Sequence, residues 1–320
     1  MQVVAKALPP DGEQRRDAIE RRRDATRARS WRVLIAGGSL AILAACAHAG
    51  DEQRDVAHGQ PAGTVGAGDG PCQVVAGGTD AHLVAINGRS ADDLIAVGYD
   101  GTILAGRGDR WNALPRSVDQ HLKDVAVADG CVFVVGLGGV VLRRVHDQFV
   151  VEPSPNRAHL LTVWADGCDR AFTAGADGTM LERAASGWLA VSSPTQGDIY
   201  WMRRVSEWAA PRDDAFRPIP GGTLLAVTEA ELLEHRAGRW TAIGSPTPSA
   251  QHSVARPLVL LADSRAYAVT GTSIMHRVER NRQRNWETFY EHSAQLLALW
   301  TDGERLVAVG AHGSIVTCAL

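Results

Sequence analysis

The chain has 320 residues, 45% of them hydrophobic and 22% charged, with 33 glycines and a formal net charge of −3. That balance excludes a collagen-like or disordered chain and suffices for one large domain or two small ones. Positions 1–45 hold nine Lys/Arg against five Asp/Glu, leaving 24 against 31 beyond, and so acidic a body argues against nucleic acid as a partner.

Basic residues crowd Arg15 to Arg32, followed by the 13-residue apolar run VLIAGGSLAILAA (Val33 to Ala45) and then Cys46. Thirteen residues fall short of the roughly 20 a helix needs to cross a bilayer, but they suit the apolar centre of a signal peptide. The LAAC at Leu43 to Cys46 resembles the lipobox of bacterial lipoproteins. The resemblance implies that positions 1–46 are a lipoprotein signal peptide. It implies further that Cys46 is acylated with diacylglycerol, that the peptide before it is removed, and that the new amino terminus is acylated. Ala47 rather than Asp follows the cysteine, which by the sorting rule of well-studied Gram-negative lipoproteins implies the outer membrane. The expected partner at this end is therefore a membrane, reached through the lipid.

Positions 47–70, AHAGDEQRDVAHGQPAGTVGAGDG, hold hardly any apolar bulk. Such a stretch cannot bury enough surface to offset its ordering entropy. We read it as a tether reaching roughly 25–30 Å as a random coil.

From about position 71 one phrase keeps returning: AVGYDGTIL from Ala96, VVGLGGVVL from Val134, TAGADGTML from Thr173 and AVGAHGSIV from Ala308. With Gly98 as register mark, its equivalents are Gly136, Gly175, Thr228, Thr270 and Gly310, at spacings of 38, 39, 53, 42 and 40. Each unit reads as an apolar strand, a loop, the glycine-ended strand, a turn, a third strand, and an aromatic opening a fourth: Trp111, Phe149, Trp188, Trp240 and Trp286. Short strands with glycine turns every ten residues or so mean antiparallel sheet. Four strands per repeat of about 40 residues mean an all-β β-propeller. We expect six blades over 71–320. The longer fourth unit contains EWAAPRDDAFRPIPGG (Glu207 to Gly222), read as a loop in preference to a seventh blade.

The pattern HLxxV…AD…AVGxDGTIL…W resembles the repeats of propeller lipoproteins of myxobacteria and, more distantly, the photosystem II assembly-factor propellers. The resemblance spans Cys72 to Leu320.

The last unit, AVGAHGSIVTCAL, reaches Leu320 without a fourth strand, and an open blade would leave an unpaired edge. In complete units the aromatic precedes the next unit's first strand by ten residues, and Cys72 precedes His82 by the same ten. CQVVAGG should therefore be the missing strand. Cys318 is equivalent to Gly106 and Cys72 to Trp111, so the two cysteines are expected face to face across neighbouring strands and bonded. Cys131 and Cys168 follow ADG at the same place in adjacent units. They are either a second bond of an exported protein or two small core residues.

His82, His121 and His159 occupy one repeated position, just before three successive first strands, near the expected channel mouth. Three imidazoles there could converge on a metal. The plainer reading is a hydrogen-bonding residue where the chain enters the strand, because the position becomes Asp198 and Gln295 in other units. We expect no cofactor and no bound metal. The acidic residues Asp92, Asp93, Asp100, Asp124, Asp166, Asp177 and Asp302 mostly read as turn residues that cap their own backbone. No G-x-S-x-G, H-E-x-x-H or phosphate loop occurs. The recurring tryptophans read as blade-to-blade packing. A contact surface for a protein or glycan is sought first at Tyr200 and Trp201, in the irregular fourth unit, and at Trp208 in its insertion. The expected function is a lipid-anchored, non-catalytic binding or assembly platform of the cell envelope. The alternatives are a propeller enzyme (glycoside hydrolase, lyase or lactonase) acting at the channel mouth, and a redox subunit holding a quinone cofactor.

Overall fold

The computed structural model describes residues 70–204, 223–244, 258–260, 265–280 and 283–320. Among them the strands form six antiparallel four-stranded sheets, each a blade of a β-propeller. The first blade is β2 (Leu83–Ser90), β3 (Asp93–Gly98), β4 (Ile103–Arg107) and β5 (Arg110–Ala113). The second is β6 (Leu122–Ala128), β7 (Cys131–Gly136), β8 (Val141–Val145) and β9 (Gln148–Val151). The third is β10 (Leu160–Ala165), β11 (Ala171–Gly175), β12 (Met180–Ala184) and β13 (Gly187–Ala190). The fourth is β14 (Ile199–Arg204), β15 (Leu224–Thr228), β16 (Leu232–Arg236) and β17 (Arg239–Gly244). The fifth is β18 (Leu258–Leu260), β19 (Ala266–Thr270), β20 (Ser273–Arg280) and β21 (Gln283–Glu291). The sixth joins β22 (Leu296–Thr301), β23 (Arg305–Gly310) and β24 (Ile315–Ala319) to β1 (Cys72–Val75), the earliest strand among the described residues.

First strands of successive blades lie against one another, from β18 through β22, β2, β6 and β10 to β14, and so line the inside. Second strands are sandwiched between sheets. CVFVVG of β7 and AFTAG of β11 are buried at every position, whereas the outer β5, β9 and β13 bury one residue in four. Strands covered on both faces read as continuous apolar runs, and those covered on one face alternate. Each Leu, Ile or Val so enclosed contributes about 1.5–3 kcal/mol relative to exposure.

The single buried residue of an outer strand is the blade's wedge into its predecessor. Trp111 packs among Ala298, Trp300, Val307 and Ile315 of the sixth blade, Phe149 among Ile95, Val97 and Ile103 of the first, and Trp188 against Phe133 of the second. Trp188 meets Phe133 edge-on at 5.5 Å and Trp240 meets Phe172 edge-on at 5.7 Å, a favourable arrangement of ring quadrupoles. The fifth blade breaks the series. There Trp286 is 45% exposed, paired with Arg277, while Phe289 meets Tyr267 edge-on at 5.4 Å. Its register is nonetheless that of the other blades: Gly106, three places after the partner of Val97, faces Trp111, and Arg277, three places after the partner of Val269, faces Trp286. The β20–β21 hairpin runs two pairs further beyond Trp286 than β4–β5 does beyond Trp111, and its bulge lies at Ile274/Met275.

Cys72 lies opposite Cys318, with Cα atoms 4.0 Å apart, and the two are bonded across 246 residues. Gln73, Val74 and Val75 continue the same register against Thr317, Val316 and Ile315. Cys131 and Cys168 are also bonded, Cα to Cα 5.2 Å, joining the second blade to the loop between β10 and β11 of the third.

The glycine phrase holds in four blades. Its turn places Asp100, Asp177 and His312 at φ 54°, 53° and 52°, each followed by a left-handed glycine, and Gly138 takes the equivalent place in the second blade. Asp and His tolerate this region better than most side chains, which accounts for DG and HG here. The preceding glycine is required for a different reason. A Cβ on Gly98, Gly136, Gly175 or Gly310 would run into the backbone carbonyl of His82, His121, His159 or Gln295. Thr228 and Thr270 lead into tighter turns, Thr228 N–H donating to Glu231 and Thr270 pairing with Ser273, so the expected glycine turn does not extend to the fourth and fifth blades.

Candidate binding face

The antiparallel order divides the loops between two faces. One, here the upper, carries the turns between second and third strands and the connections into each next blade. The other carries the remaining hairpins.

At the upper face the repeated polar position is a latch between blades. His121 Nδ1 accepts the backbone N–H of Asp100 at 3.0 Å, and His159 Nδ1 accepts that of Gly138 at 3.0 Å. Asp198 Oδ1 accepts that of Asp177 at 2.9 Å in the same way. Each acceptor lies just before the first strand of one blade and each donor in the left-handed turn of the blade before. His121 and His159 thus latch different pairs of blades, and among the described residues no group of three His, Cys, Asp or Glu side chains is placed to hold an ion.

What these latches align is a row of rings. His312 lies 5.0 Å from His82, His82 lies 5.2 Å from Tyr99, and Tyr99 stacks on His121 at 4.4 Å. Lys123 Nζ stands 5.4 Å above the Tyr99 ring, a cation–π approach that favours a charged head over an aromatic face. Burial, and then the neighbouring His312, hold the His82 imidazole below its ordinary range, with Asp100 pulling the other way. His82 therefore presents a neutral ring at neutral pH. The row runs across the sixth, first and second blades. Across the ring, Tyr200 is 45% exposed and its hydroxyl donates to Asp198 at 3.4 Å.

Inside, one carboxylate ties three blades together. Asp124, on β6 and only 7% exposed, accepts from the Thr162 hydroxyl at 3.0 Å, from Val163 N–H at 2.9 Å and from Arg203 Nη1 at 3.3 Å. Its other oxygen accepts Val125 N–H at 2.9 Å. This corrects the reading of Asp124 as a turn residue. The signal was present as a lone acid within the apolar strand LKDVAVA, answered by Arg203 in IYWMRR.

Trp201 lies half-buried on β14 with the Arg203 guanidinium 6.0 Å from its ring, and Tyr200 is the more exposed ring of the two. Trp164 and Trp300 are first-strand residues, both buried, the latter donating its indole N–H to Gly88 at 3.0 Å. Cys46, Trp208 and the stretch Glu207 to Gly222 lie outside the described residues. The rings of Tyr99 and His312 were not singled out from sequence, because adjacency around the ring, not spacing along the chain, brings them together.

No family model matches the chain, and neither does any curated protein. Its fold is similar to that of several solved propellers. YCF48 from Cyanidioschyzon merolae is 15% identical, with a TM-score of 0.59 over 78% of this chain and 99% of that one. A structure of YCF48 bound to D1 peptide is 12% identical, with a TM-score of 0.54 over 79% and 98%. U3-55K is 10% identical, with a TM-score of 0.53 over 78% and 98%. Identities this low speak to the fold alone.

Proposed function

We propose that the chain is a non-catalytic binding platform of a bacterial cell envelope, related to the myxobacterial propeller lipoproteins. It is held at the outer membrane by acylated Cys46 and offers its upper face to a protein partner. The observation that carries this reading is the employment of the mouth imidazoles. The Nδ1 lone pairs of His121 and His159 already accept backbone N–H groups of the neighbouring blade, at 3.0 Å each. An imidazole so engaged is not free to take a substrate proton at that atom. What the face offers instead is a set of half-exposed rings with a lysine over one of them, the kind of surface that anchors partners. The complex of YCF48 with D1 peptide is a precedent for a propeller of this fold receiving a polypeptide. A tether of about two dozen residues would let the ring turn its upper face to a partner at some distance from the bilayer.

Two measurements on the full chain in a Gram-negative host test the reading. Metabolic labelling with an alkyne fatty acid is expected to mark the protein in the outer-membrane fraction and to fail for Cys46→Ala. A photo-crosslinking amino acid at Tyr99 is expected to give discrete adducts that one at Arg144, on the opposite face, does not. An unlabelled wild-type protein would remove the anchor, and adducts indifferent to position would remove the platform.

A further inference from the structure

On the outer rim, where the connection leaving β9 meets the turn between β12 and β13, lies an open cavity of about 390 Å³. Its walls include Pro153, Ser154, Pro155, Arg183 and Trp188. Glu152 braces it: this carboxylate, 11% exposed, accepts Arg143 Nε at 2.7 Å, Arg183 Nη2 at 3.2 Å and the Trp188 indole N–H at 2.7 Å. Two guanidinium groups against one carboxylate leave this cluster one positive charge in excess.

Two donors in the wall have no partner. Arg183 spends Nη1 on the Ala184 carbonyl at 3.0 Å and Nη2 on Glu152, but its Nε–H, like the Ser154 hydroxyl, is buried without a hydrogen bond. Buried donors of this kind are ordinarily satisfied, by protein, by water or by a ligand. The surface beside the cavity adds a second feature. Val150, Val151 and Leu189, on the outer strands β9 and β13, are 39%, 57% and 50% exposed, half of the large apolar side chains that stand out among the described residues.

We propose that this rim is a recognition site for a carboxylate borne on a short apolar peptide segment. The carboxylate sits against Arg183 and Ser154, supplying the acceptor both lack and neutralising the surplus charge. The neighbouring apolar side chains lie along Val150, Val151 and Leu189, on strands whose outer edges are open to main-chain pairing. Charge complementarity favours a carboxylate over a neutral carbonyl, because a hydrogen bond from a guanidinium to an ionised acceptor is the stronger one. The carboxylate can come from a chain terminus or from an acidic side chain. The site shares no residue with the row of rings at His312, His82, Tyr99 and His121 and does not depend on where the protein resides.

Fluorescence polarisation with three fluorescein-labelled peptides decides it: Leu-Val-Ala with a free carboxyl terminus, Leu-Val-Glu amidated, and Leu-Val-Ala amidated. At least one of the first two is expected to bind roughly tenfold tighter than the third, and the one that does identifies the source of the carboxylate. Ser154→Ala is expected to keep the wild-type melting temperature, since that hydroxyl has no partner to lose, and to weaken the bound peptide several-fold. Ser154→Asp supplies its own carboxylate and is expected to abolish binding. Equal binding of the neutral peptide, no binding by any of the three, or full binding by Ser154→Asp would each overturn the proposal.

Discussion

His121 Nδ1 accepts the backbone N–H of Asp100 at 3.0 Å, linking the residue that enters the first strand of one blade to the turn of the blade before it. The same reach of 21 residues recurs from His159 to Gly138 and from Asp198 to Asp177. The position therefore asks for an acceptor at a given distance, not for an imidazole. His121→Asn, which keeps an acceptor much as Asp198 does, is expected to leave stability nearly unchanged. His121→Ala is expected to cost about 1 kcal/mol by leaving the Asp100 N–H to water. Denaturation midpoints of the two variants check this; equal losses would mean that ring packing on Tyr99, and not the hydrogen bond, sets the value of the site.

Closure rests on the pairing of β1 with β24, with the Cys72–Cys318 bond across it. In the chain-entropy account a bond spanning 246 residues is worth about 5 kcal/mol, against about 4 kcal/mol for the 37 residues between Cys131 and Cys168. The double variant Cys72→Ser, Cys318→Ser is therefore expected to lower the guanidinium midpoint more than Cys131→Ser, Cys168→Ser. The reverse order would show that the ring stays closed through its β-ladder without the sulfurs.

Asp124→Ala removes the acceptor shared by Thr162, Val163 and Arg203 and leaves a guanidinium facing the interior. Because the Arg203 side chain is 37% exposed, water compensates part of the loss, and about 2–3 kcal/mol is expected. Pairing it with Arg203→Met in a double-mutant cycle should recover part of that cost. Strict additivity would mean that the ion pair contributes nothing beyond the Thr162 and Val163 hydrogen bonds.

Stability should fall on acidification in two steps. Burial holds His82, His235 and His292 below the ordinary imidazole range, with the adjacent His312 adding to this at His82. The folded protein then binds fewer protons than the unfolded chain, so this contribution is complete above about pH 6.5 and is lost as pH drops below it. A second loss is expected below about pH 4. Asp302, despite burial, is held low by N–H groups of Arg305, Glu304 and Ala91, and Glu291 is held low by the hydroxyls of Ser273 and Thr272. Melting temperatures at pH 8, 6 and 4.5 test the first step, and a flat profile between pH 8 and 5 would contradict it.

Much of this was legible along the chain, because a propeller repeats one supersecondary unit whose contacts are mostly local. The period of about 40 residues, the DG and HG turns and the ten-residue offset from aromatic to first strand were enough to place Cys72 opposite Cys318. The same logic placed Trp286 in register, opposite Arg277, but gave no hint of its 45% exposure, because burial depends on the neighbouring sheet and not on spacing along the chain.

Sequence by itself determined the blades, because strand alternation, left-handed turn residues and register are properties of neighbours within about ten positions. Only the tertiary structure decided what stands beside what around the ring. It stacked Tyr99 on His121, carried Arg203 back 79 residues to Asp124, and set the unpartnered Arg183 Nε and Ser154 Oγ in one wall. Each of those neighbours is fixed by how whole sheets pack and turn about a common axis, and a linear period carries no record of that angle.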